Sequence, residues 1–397
     1  MFLQIHYLAQ YPPSLLNRDD AGFAKRIMFG GAPRLRVSSQ AQKRRWRVWM
    51  RDRTLLPHAE RTRHFFARLQ AELEAEGVSP DVAEVLVAQL YHALFPPKKK
   101  NKGSAKDAEN TNAPLVLPPV DKIPPLLFGR PEHDYLLSLV LAAARAADPA
   151  AALSATLERQ KKTPKNNLTT LLAAAGYPDL AVGYDGALFG RFVPSEVILS
   201  RVDAPVHVAH AFTVHALDTE ADYFTAVDDL APDSGAATVQ SMELGAGLYY
   251  GYVVIDVPLL VSNLTGCARD AWRSAPADDA RALITLLVQA ITEVTVGAKL
   301  GATAPYTRPE TVVLEAGTAQ PRSLANAFLE PLDLGPAQNP QVQAATALDR
   351  HVRNLTALYG PDDVVRQVAT TAPWSVPAEQ GTLPEAVATV LHTVWPA

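Results

Sequence analysis

The chain has 397 residues, 48% of them hydrophobic and 20% charged, so it can bury a core in two domains or in one domain with large insertions. Its net charge of −4 by itself argues against a nucleic-acid partner. One cysteine, Cys267, excludes an internal disulfide framework and fits a reducing cytoplasm. The first residues lack the pattern of a signal peptide, and no stretch approaches the roughly 20 apolar residues of a membrane span.

The first fifty residues predict a strand, a loop and a helix. Residues 2–9 are rich in β-forming side chains, and Pro12 to Arg36 is rich in turn residues. Ser38 or Ser39 can cap a helix that runs to about Arg53. Helical spacing gives this helix an apolar face made of Trp46, Trp49 and Met50. An adjacent basic stripe is made of Lys43, Arg44, Arg47 and Arg51.

The middle of the chain, about 55–177, has a helical, Ala- and Leu-rich pattern. A segment rich in proline and lysine, 96–125, interrupts it and is expected to be a surface loop. Within that loop, Lys98 to Lys106 could touch DNA or simply be solvated.

The rest of the chain returns to strands. Strands are predicted at 206–217 and 248–257, and the polar stretch 218–247 between them is too long for a tight turn and is expected to be a functional loop. The remaining predicted elements are a helix at 278–294, a strand at 311–314 and a mainly helical C-terminal part that ends with 383–395. Without the insertions the order is βαββαβ, an α+β fold of the ferredoxin-like or RNA-recognition-motif type.

Positive charge is concentrated near the N-terminus. Between Lys25 and Arg53 only Asp52 opposes ten cations, namely Lys25, Arg26, Arg34, Arg36, Lys43, Arg44, Arg45, Arg47, Arg51 and Arg53. Where the loop becomes a helix, the side chains of Ser38, Ser39 and Gln40 and the free backbone N–H groups suit a phosphate. The cluster therefore indicates a site for a nucleic-acid backbone, with a solvated helix face as the alternative.

These motifs resemble the opening of the CasC family, the repeated backbone subunit of type I-E CRISPR Cascade. The segments that carry the resemblance are NRDD at 17–20, FGG at 29–31, RLRVSSQ at 34–40, KR at 43–44, AHA at 209–211 and DYFTAVDDL at 222–230, with weaker echoes GAK at 297–299 and SLANAF at 323–328. The similarity is dense in 1–50 and 205–255 and thin in 55–180.

The resemblance implies a hand-shaped molecule with a modified RNA-recognition-motif palm. Its expected parts are 1–54 (palm, first part), 55–180 (helical fingers insertion), 181–217 (palm, second part), 218–247 (thumb loop) and 248–397 (palm, third part with C-terminal helices). It implies a protein without catalytic activity, metal or cofactor. The implied partners are the guide RNA (crRNA), the target DNA strand through that guide, further copies of the chain in a filament and the other Cascade subunits, with no membrane.

The resemblance also implies site residues. The implied guide-backbone contacts are Lys25, Ser38, Gln40, Lys43, Arg44 and Arg47, with Arg18, Arg34 and Arg36 as neighbours and Lys299 as a further candidate. Phe224, Thr225 and Val227 would meet a displaced base, although Phe224 taken by itself is more typical of a core residue. Arg191 and Phe192 resemble a loop that wedges beside the same base, and familiar relatives carry methionine where Phe192 stands.

Two other functions remain open from the sequence. Asp19 and Asp20 beside the cations could belong to a metal-dependent ribonuclease acting on bound target RNA, or could cap a turn. The chain could also be a helical scaffold that binds no nucleic acid. His207 and His215 face away from His210 on a strand, so these histidines do not predict a metal site.

Overall fold

The computed structural model describes residues 1–95, 115–162, 176, 182–191, 202–227, 236–335, 339–361, 363–376 and 378–396. The strands are β1 (Phe2–Ser14), β2 (Arg26–Phe29), β3 (Ala32–Val37), β4 (Ala59–Thr62), β5 (Leu126–Gly129), β6 (Val206–Val208), β7 (Ala211–Thr213), β8 (Thr219–Val227), β9 (Ala236–Asp256), β10 (Thr311–Gly317), β11 (Val364–Thr370) and β12 (Glu379–Gln380). The helices are α1 (Ser39–Arg51), α2 (Phe65–Ala75), α3 (Pro80–Leu94), α4 (Arg130–Ala144), α5 (Pro149–Lys162), α6 (Gly183–Phe189), α7 (Val257–Thr265), α8 (Asp278–Glu293), α9 (Leu300–Thr303), α10 (Pro340–Tyr359) and α11 (Leu383–Val394). Short 3₁₀ turns lie at Val120–Lys122, Arg269–Ser274 and Ala325–Phe328.

The chain divides into two compact units. The palm unit consists of residues 1–54, 206–258 and 276–397, and the helical unit consists of residues 55–205 and 259–275. Among the described residues, the helices are all too short or too polar to cross a bilayer.

The centre of the palm unit is an antiparallel sheet in which β10, β1, β9 and β7 lie side by side. With α1 and α8, these strands follow the chain order β1, α1, β7, β9, α8, β10, which is the βαββαβ order predicted from the sequence. The first and last strands are therefore neighbours, with Phe2 opposite Gly317 and Leu8 opposite Thr311. The α+β fold with a ferredoxin-like palm and a helical insertion is confirmed.

Both edges of this sheet are extended by strands that were not predicted. The loop expected over Pro12–Arg36 contains the hairpin of β2 and β3, which joins the sheet because β3 pairs with β7. Gly30 and Gly31 have φ of 60° and 77°, as a two-residue type I′ turn requires. At the other edge, β11 pairs with β10 within a segment expected to be helical.

The polar stretch 218–247 is mostly paired strand. β8 runs antiparallel to the first part of β9, from Thr219 opposite Gly245 to Val227 opposite Ala236. We call this pair the ribbon (219–227 with 236–245). Glu220 to Tyr223 are all exposed, so this part of β8 is not the half-buried strand that sequence patterns are used to recognise.

Each unit has its own core. Leu8, Tyr250 and Phe328 belong to the palm cluster, which is completed by apolar residues of α10. One buried ionic group crosses this sheet: the Glu315 carboxylate accepts from Arg366 Nε at 2.7 Å and lies 3.7 Å from His6 Nε2. Burial opposes ionisation of Glu315, but His6, Arg366 and Arg322 outweigh it and lower its pKa to about 2.

In the helical unit, α2 to α5 pack around Phe66, Leu69, Leu90 and Leu136. The unit extends to Pro205, beyond the boundary at 180 that the sequence suggested. The reason is that α6 binds the start of the unit: Tyr184 donates its N–H to Pro57 O and Asp185 accepts from Ala59 N–H, both at 2.8 Å.

Candidate nucleic-acid interface

The basic stripe predicted on the first helix is present on α1. Gln42, Trp46 and Met50 are buried on the inner side, one turn apart. The adjacent outer side carries Gln40, Lys43, Arg44, Arg47 and Arg51, of which Gln40 and Arg44 are exposed and the others half-buried. This side is about 16 Å long, because each helical residue adds about 1.5 Å. Burial lowers the pKa of Lys43 from its usual value.

Hydrogen bonds fix the start of this helix against the sheet. Gln42 accepts from the Tyr7 hydroxyl at 2.8 Å and donates to Val37 O at 3.2 Å and Ala209 O at 3.1 Å. Ser38 donates its N–H to the side chain of Asn17 at 3.0 Å. The N-terminus of α1 therefore lies beside the AHA motif and the NRDD motif, which are far apart in the sequence.

A second cationic group lies on β3 and the residues before β2. Arg36 Nη1 lies 2.9 Å from His210 Nδ1, and Arg36 Nε donates to Arg26 O at 3.2 Å. Burial, Arg36 and Lys25 each lower the pKa of His210. A neutral His210 can accept from Arg36 and so orients its guanidinium beside Lys25. The sequence had assigned His210 no role.

Arg18 and Lys299 meet at a cleft of about 560 Å³ next to the ribbon. Its lining residues are Leu15, Arg18, Ala21, Gly22, Phe23, Arg26, Thr219, Glu220, Ala221, Ser241, Met242, Glu243 and Lys299. Glu243 pairs with Arg26 and accepts from Ala24 N–H at 2.8 Å, which holds the chain before β2 against the ribbon. Lys299 has a left-handed backbone with φ of 53°.

Two residues predicted to contact the guide backbone, Arg34 and Ser38, are buried and bind protein groups instead. Arg34 is 0% exposed, and its guanidinium donates to Thr213 O at 2.9 Å and Phe328 O at 3.0 Å, so it is closed to a phosphate. Burial lowers its pKa. Ser38 is buried as the N-cap of α1, and its hydroxyl oxygen accepts from Ala41 N–H at 3.3 Å.

Of the two aspartates considered for metal binding, Asp19 shapes a turn. The Asp19 carboxylate accepts from Phe23 N–H at 2.9 Å, and Asp20 is exposed. Across the ranges that the structure describes, no three His, Cys, Asp or Glu side chains are grouped as metal ligands.

The three residues predicted at a displaced base lie on β8 of the ribbon. Phe224 is opposite Gln240, Thr225 is opposite Val239 and Val227 is opposite Ala236. A register irregularity separates Ala226 from Val227.

In the helical unit, Arg191 is 7% exposed and bound by protein groups. Its Nη2 donates to Glu132 at 2.6 Å, its Nη1 donates to Leu127 O at 2.9 Å, and its guanidinium lies 5.1 Å from the centre of the Phe128 ring. The prediction that Arg191 touches RNA is therefore corrected to a structural role. Phe192 lies outside the described residues.

The family model of CT1975-like proteins matches residues 3–392. No curated protein matches the chain. A solved chain from a "CRISPR RNA-guided surveillance complex, pre-nicking" is similar at 27% identity and a TM-score of 0.73 over 100% of both chains. A chain from a "CRISPR RNA-guided surveillance complex" is similar in fold at 21% identity and a TM-score of 0.57, also over 100% of both chains.

The family match and the likeness to these solved chains extend over nearly the whole sequence, including the helical unit where the motif similarity is thin. They confirm the resemblance that the N-terminal motifs carried. The chain belongs to the family of CT1975-like proteins.

Proposed function

We propose that this protein is a backbone subunit of a CRISPR surveillance complex and that its palm unit holds the guide RNA. The observation that carries the proposal is the row of cations on the outer side of α1, together with the Arg36 and Lys25 group beside it. The similarity to a chain of an RNA-guided surveillance complex over its whole length supports the same role.

The side chains suit a guide of any sequence. Lys43, Arg44 and Arg47 supply charge and Gln40 supplies an amide, and groups of these kinds bind phosphate oxygens without selecting a base. Recognition of the target is then left to base pairing between the guide and a DNA strand. This explains how a chain with a net charge of −4 can bind RNA: the cations are concentrated where the strand lies.

The finer features follow from the same proposal. In a type I-E complex, copies of the chain stack along the spacer, and the ribbon of one copy reaches the next and displaces one base at regular intervals. Phe224, Thr225 and Val227 are the ribbon residues that meet that base. Such interruptions let short guide segments pair with the target DNA without winding fully around it. The complex acts in the cytoplasm together with other Cascade subunits.

The protein itself performs no chemistry in this role. Asp19 serves the turn that positions the cationic loop, since its carboxylate accepts from the N–H of Phe23. The ribonuclease alternative predicts cutting of a complementary RNA with added divalent metal and loss of cutting in Asp19→Ala.

The first experiment is co-expression of the chain with a guide RNA and the other Cascade subunits, followed by sizing and the ratio of absorbance at 260 and 280 nm. We expect a large RNA-rich particle in which nuclease digestion leaves guide fragments of regular spacing. A particle without RNA would instead support the scaffold that binds no nucleic acid. So would a chain that stays an RNA-free monomer both when expressed alone and when co-expressed.

A further inference from the structure

An exposed phenylalanine stands among the cations of the palm unit. Phe23 is 56% exposed, although an aromatic side chain of this size is usually buried. Its backbone is held at both polar atoms: the N–H donates to the Asp19 carboxylate at 2.9 Å, and the carbonyl accepts from Asp19 N–H at 2.8 Å. The turn depends on Gly22, whose φ is +94°.

The residues after Phe23 are fixed as well. Ala24 is buried and donates its N–H to Glu243 at 2.8 Å, and Lys25 donates its N–H to Asn17 O at 2.8 Å. The ring of Phe23 is therefore presented to solvent from a backbone that is bound on each side. A ligand that packs on this ring need not order the loop first, which lowers the entropic cost of binding.

Phe23 belongs to the wall of two clefts at once. The first is the cleft of about 560 Å³ that contains Arg18, Arg26 and Lys299. The second has about 510 Å³ and is lined by Asp19, Phe23, Ala24, Lys25, Arg26 and Arg36. Each cleft has more cations than carboxylates, three against Glu220 and Glu243 in the first and three against Asp19 in the second, so each can attract a phosphate. The exposed ring is in the wall that the two clefts share.

We propose that Phe23 is a stacking platform for one base of the bound strand, with the neighbouring phosphates in the two clefts. This inference rests on the proposed function and adds a binding residue to it. Every nucleobase has a π-face, so stacking on Phe23 adds affinity for the strand without selecting a sequence. A repeated subunit that must hold any spacer requires this kind of contact.

The charges around the ring favour a nucleic acid over an apolar partner. Lys25, Arg36 and Lys299 line the clefts beside Phe23, and an apolar protein surface placed there would have to desolvate them. A strand whose phosphates lie in the clefts brings its own counter-charges. Its bases are the apolar part that remains for the ring.

The test uses the full-length chain and two ligands: a single-stranded guide RNA, and the same strand with every spacer base removed to leave the ribose phosphate backbone. We expect Phe23→Ala to weaken binding of the intact RNA by about five-fold or more, the lower end of the range for base–aromatic stacking. Binding of the abasic strand should not change, because it has no base to stack.

Further substitutions at Phe23 distinguish stacking on an aromatic ring from contact with any apolar side chain of similar size. Phe23→Trp is expected to bind the intact RNA as tightly as the unchanged chain, and Phe23→Leu is expected to lose as much as Phe23→Ala. Tyr359→Ala is the matched control, because Tyr359 is 79% exposed at the end of α10 and lines neither cleft. The thermal midpoints of all variants check that the palm unit is folded.

The outcomes are distinguishable. Equal weakening on the intact and the abasic strand would overturn stacking and assign Phe23 to the shape of the loop. Full affinity in Phe23→Leu would also overturn it, since size alone would then suffice. If the unchanged chain binds neither strand, the proposed function fails and this inference fails with it.

Discussion

Two regions of the molecule were expected to hold RNA with arginine, and they use the residue in opposite ways. In the palm unit, Arg44 is exposed on α1 and Arg36 is half-buried beside His210, so both can reach a phosphate. In the helical unit, Arg191 is buried and binds the Glu132 carboxylate. A buried charge needs a partner of opposite charge or several hydrogen-bond acceptors around it. Whether an arginine is available therefore depends on where the chain places such acceptors over it.

The same contrast occurs within a single strand. Arg34 and Arg36 lie on the same face of β3, because side chains two residues apart do so. The turn Ala325–Phe328 and Leu329 cover that face at Arg34, which donates to Phe328 O, whereas Arg36 extends to His210. Arg34 is therefore buried and Arg36 is not, because a segment 294 residues further along the chain covers Arg34 alone.

The largest effect that could break the comparison concerns Arg191. We expect Arg191→Ala to lower the free energy of unfolding by about 3–5 kcal/mol, because it leaves Glu132 buried without its partner. Denaturant titration measures the change. Arg191→Met combined with Glu132→Leu should recover part of the stability, since an apolar pair leaves no charge buried. A stable Arg191→Ala chain with weak RNA binding would restore Arg191 to the interface.

The second prediction compares Arg34→Ala with Arg36→Ala. Loss of Arg34 removes a charged donor from buried carbonyl oxygens, and we expect a loss of about 2–3 kcal/mol in the free energy of unfolding. Loss of Arg36 should leave stability within about 0.5 kcal/mol and weaken RNA binding. Each variant is the control for the other, in denaturation and in RNA titration. If both variants lost affinity with unchanged stability, the burial of Arg34 would not describe the protein in solution.

The sequence predicted the frame of the fold because that frame rests on local patterns. The first strand, α1, α8 and the C-terminal helix each carry an apolar periodicity, and the motif resemblance supplied the family. The sequence also contained the signal for the β2–β3 hairpin, since two glycines between short strands favour a type I′ turn. The ribbon had no such turn signal, and Glu220 to Tyr223 of β8 are all exposed, so no buried face imposes a pattern there.

The site was predicted less completely, for a different reason. Local pattern placed Lys43, Arg44 and Arg47 on one side of α1, and the structure agrees. The burial of Arg34 and Arg191 depends on Phe328 and Glu132, which are remote in sequence. Motif similarity cannot distinguish these cases either, since a family keeps structural and binding arginines alike. The contacts of Phe23 and His210 are likewise tertiary.

The third prediction concerns the cations on the outer side of α1, which the comparison treats as available to RNA. Lys43→Ala with Arg47→Ala should weaken binding of guide RNA about equally for unrelated spacers, because in the proposed role these side chains hold phosphates and not bases. Removing one phosphate-binding cation should also reduce the slope of log affinity against log salt by about 0.7 for a single strand, and removing the pair by about 1.4. Fluorescence titration at several salt concentrations measures both quantities. Asp52→Asn at the end of α1, which removes an anion, is the control and should not weaken binding. Unequal losses between spacers would indicate base contacts.

The smallest effect extends the comparison to two histidines. Exposed His210 orients Arg36, whereas His215 is buried, with Nδ1 2.7 Å from Ala216 O and Nε2 accepting from Leu248 N–H at 3.2 Å. Burial lowers the pKa of His215 from 6.5, so below pH 6.5 the unfolded chain binds more protons than the folded one. The free energy of unfolding should therefore fall as the pH falls through 6.5, by less than about 1.4 kcal/mol per pH unit from this residue. His215→Gln should be less stable at pH 7.5 but show a flatter decline between pH 6.5 and 5, measured by urea denaturation, whereas His210→Gln should keep its stability at pH 7.5 because His210 is exposed. Parallel declines in the unchanged chain and in His215→Gln would mean that His215 does not carry the acid sensitivity, and the contrast between a buried and an exposed titrating group would not extend from the arginines to the histidines.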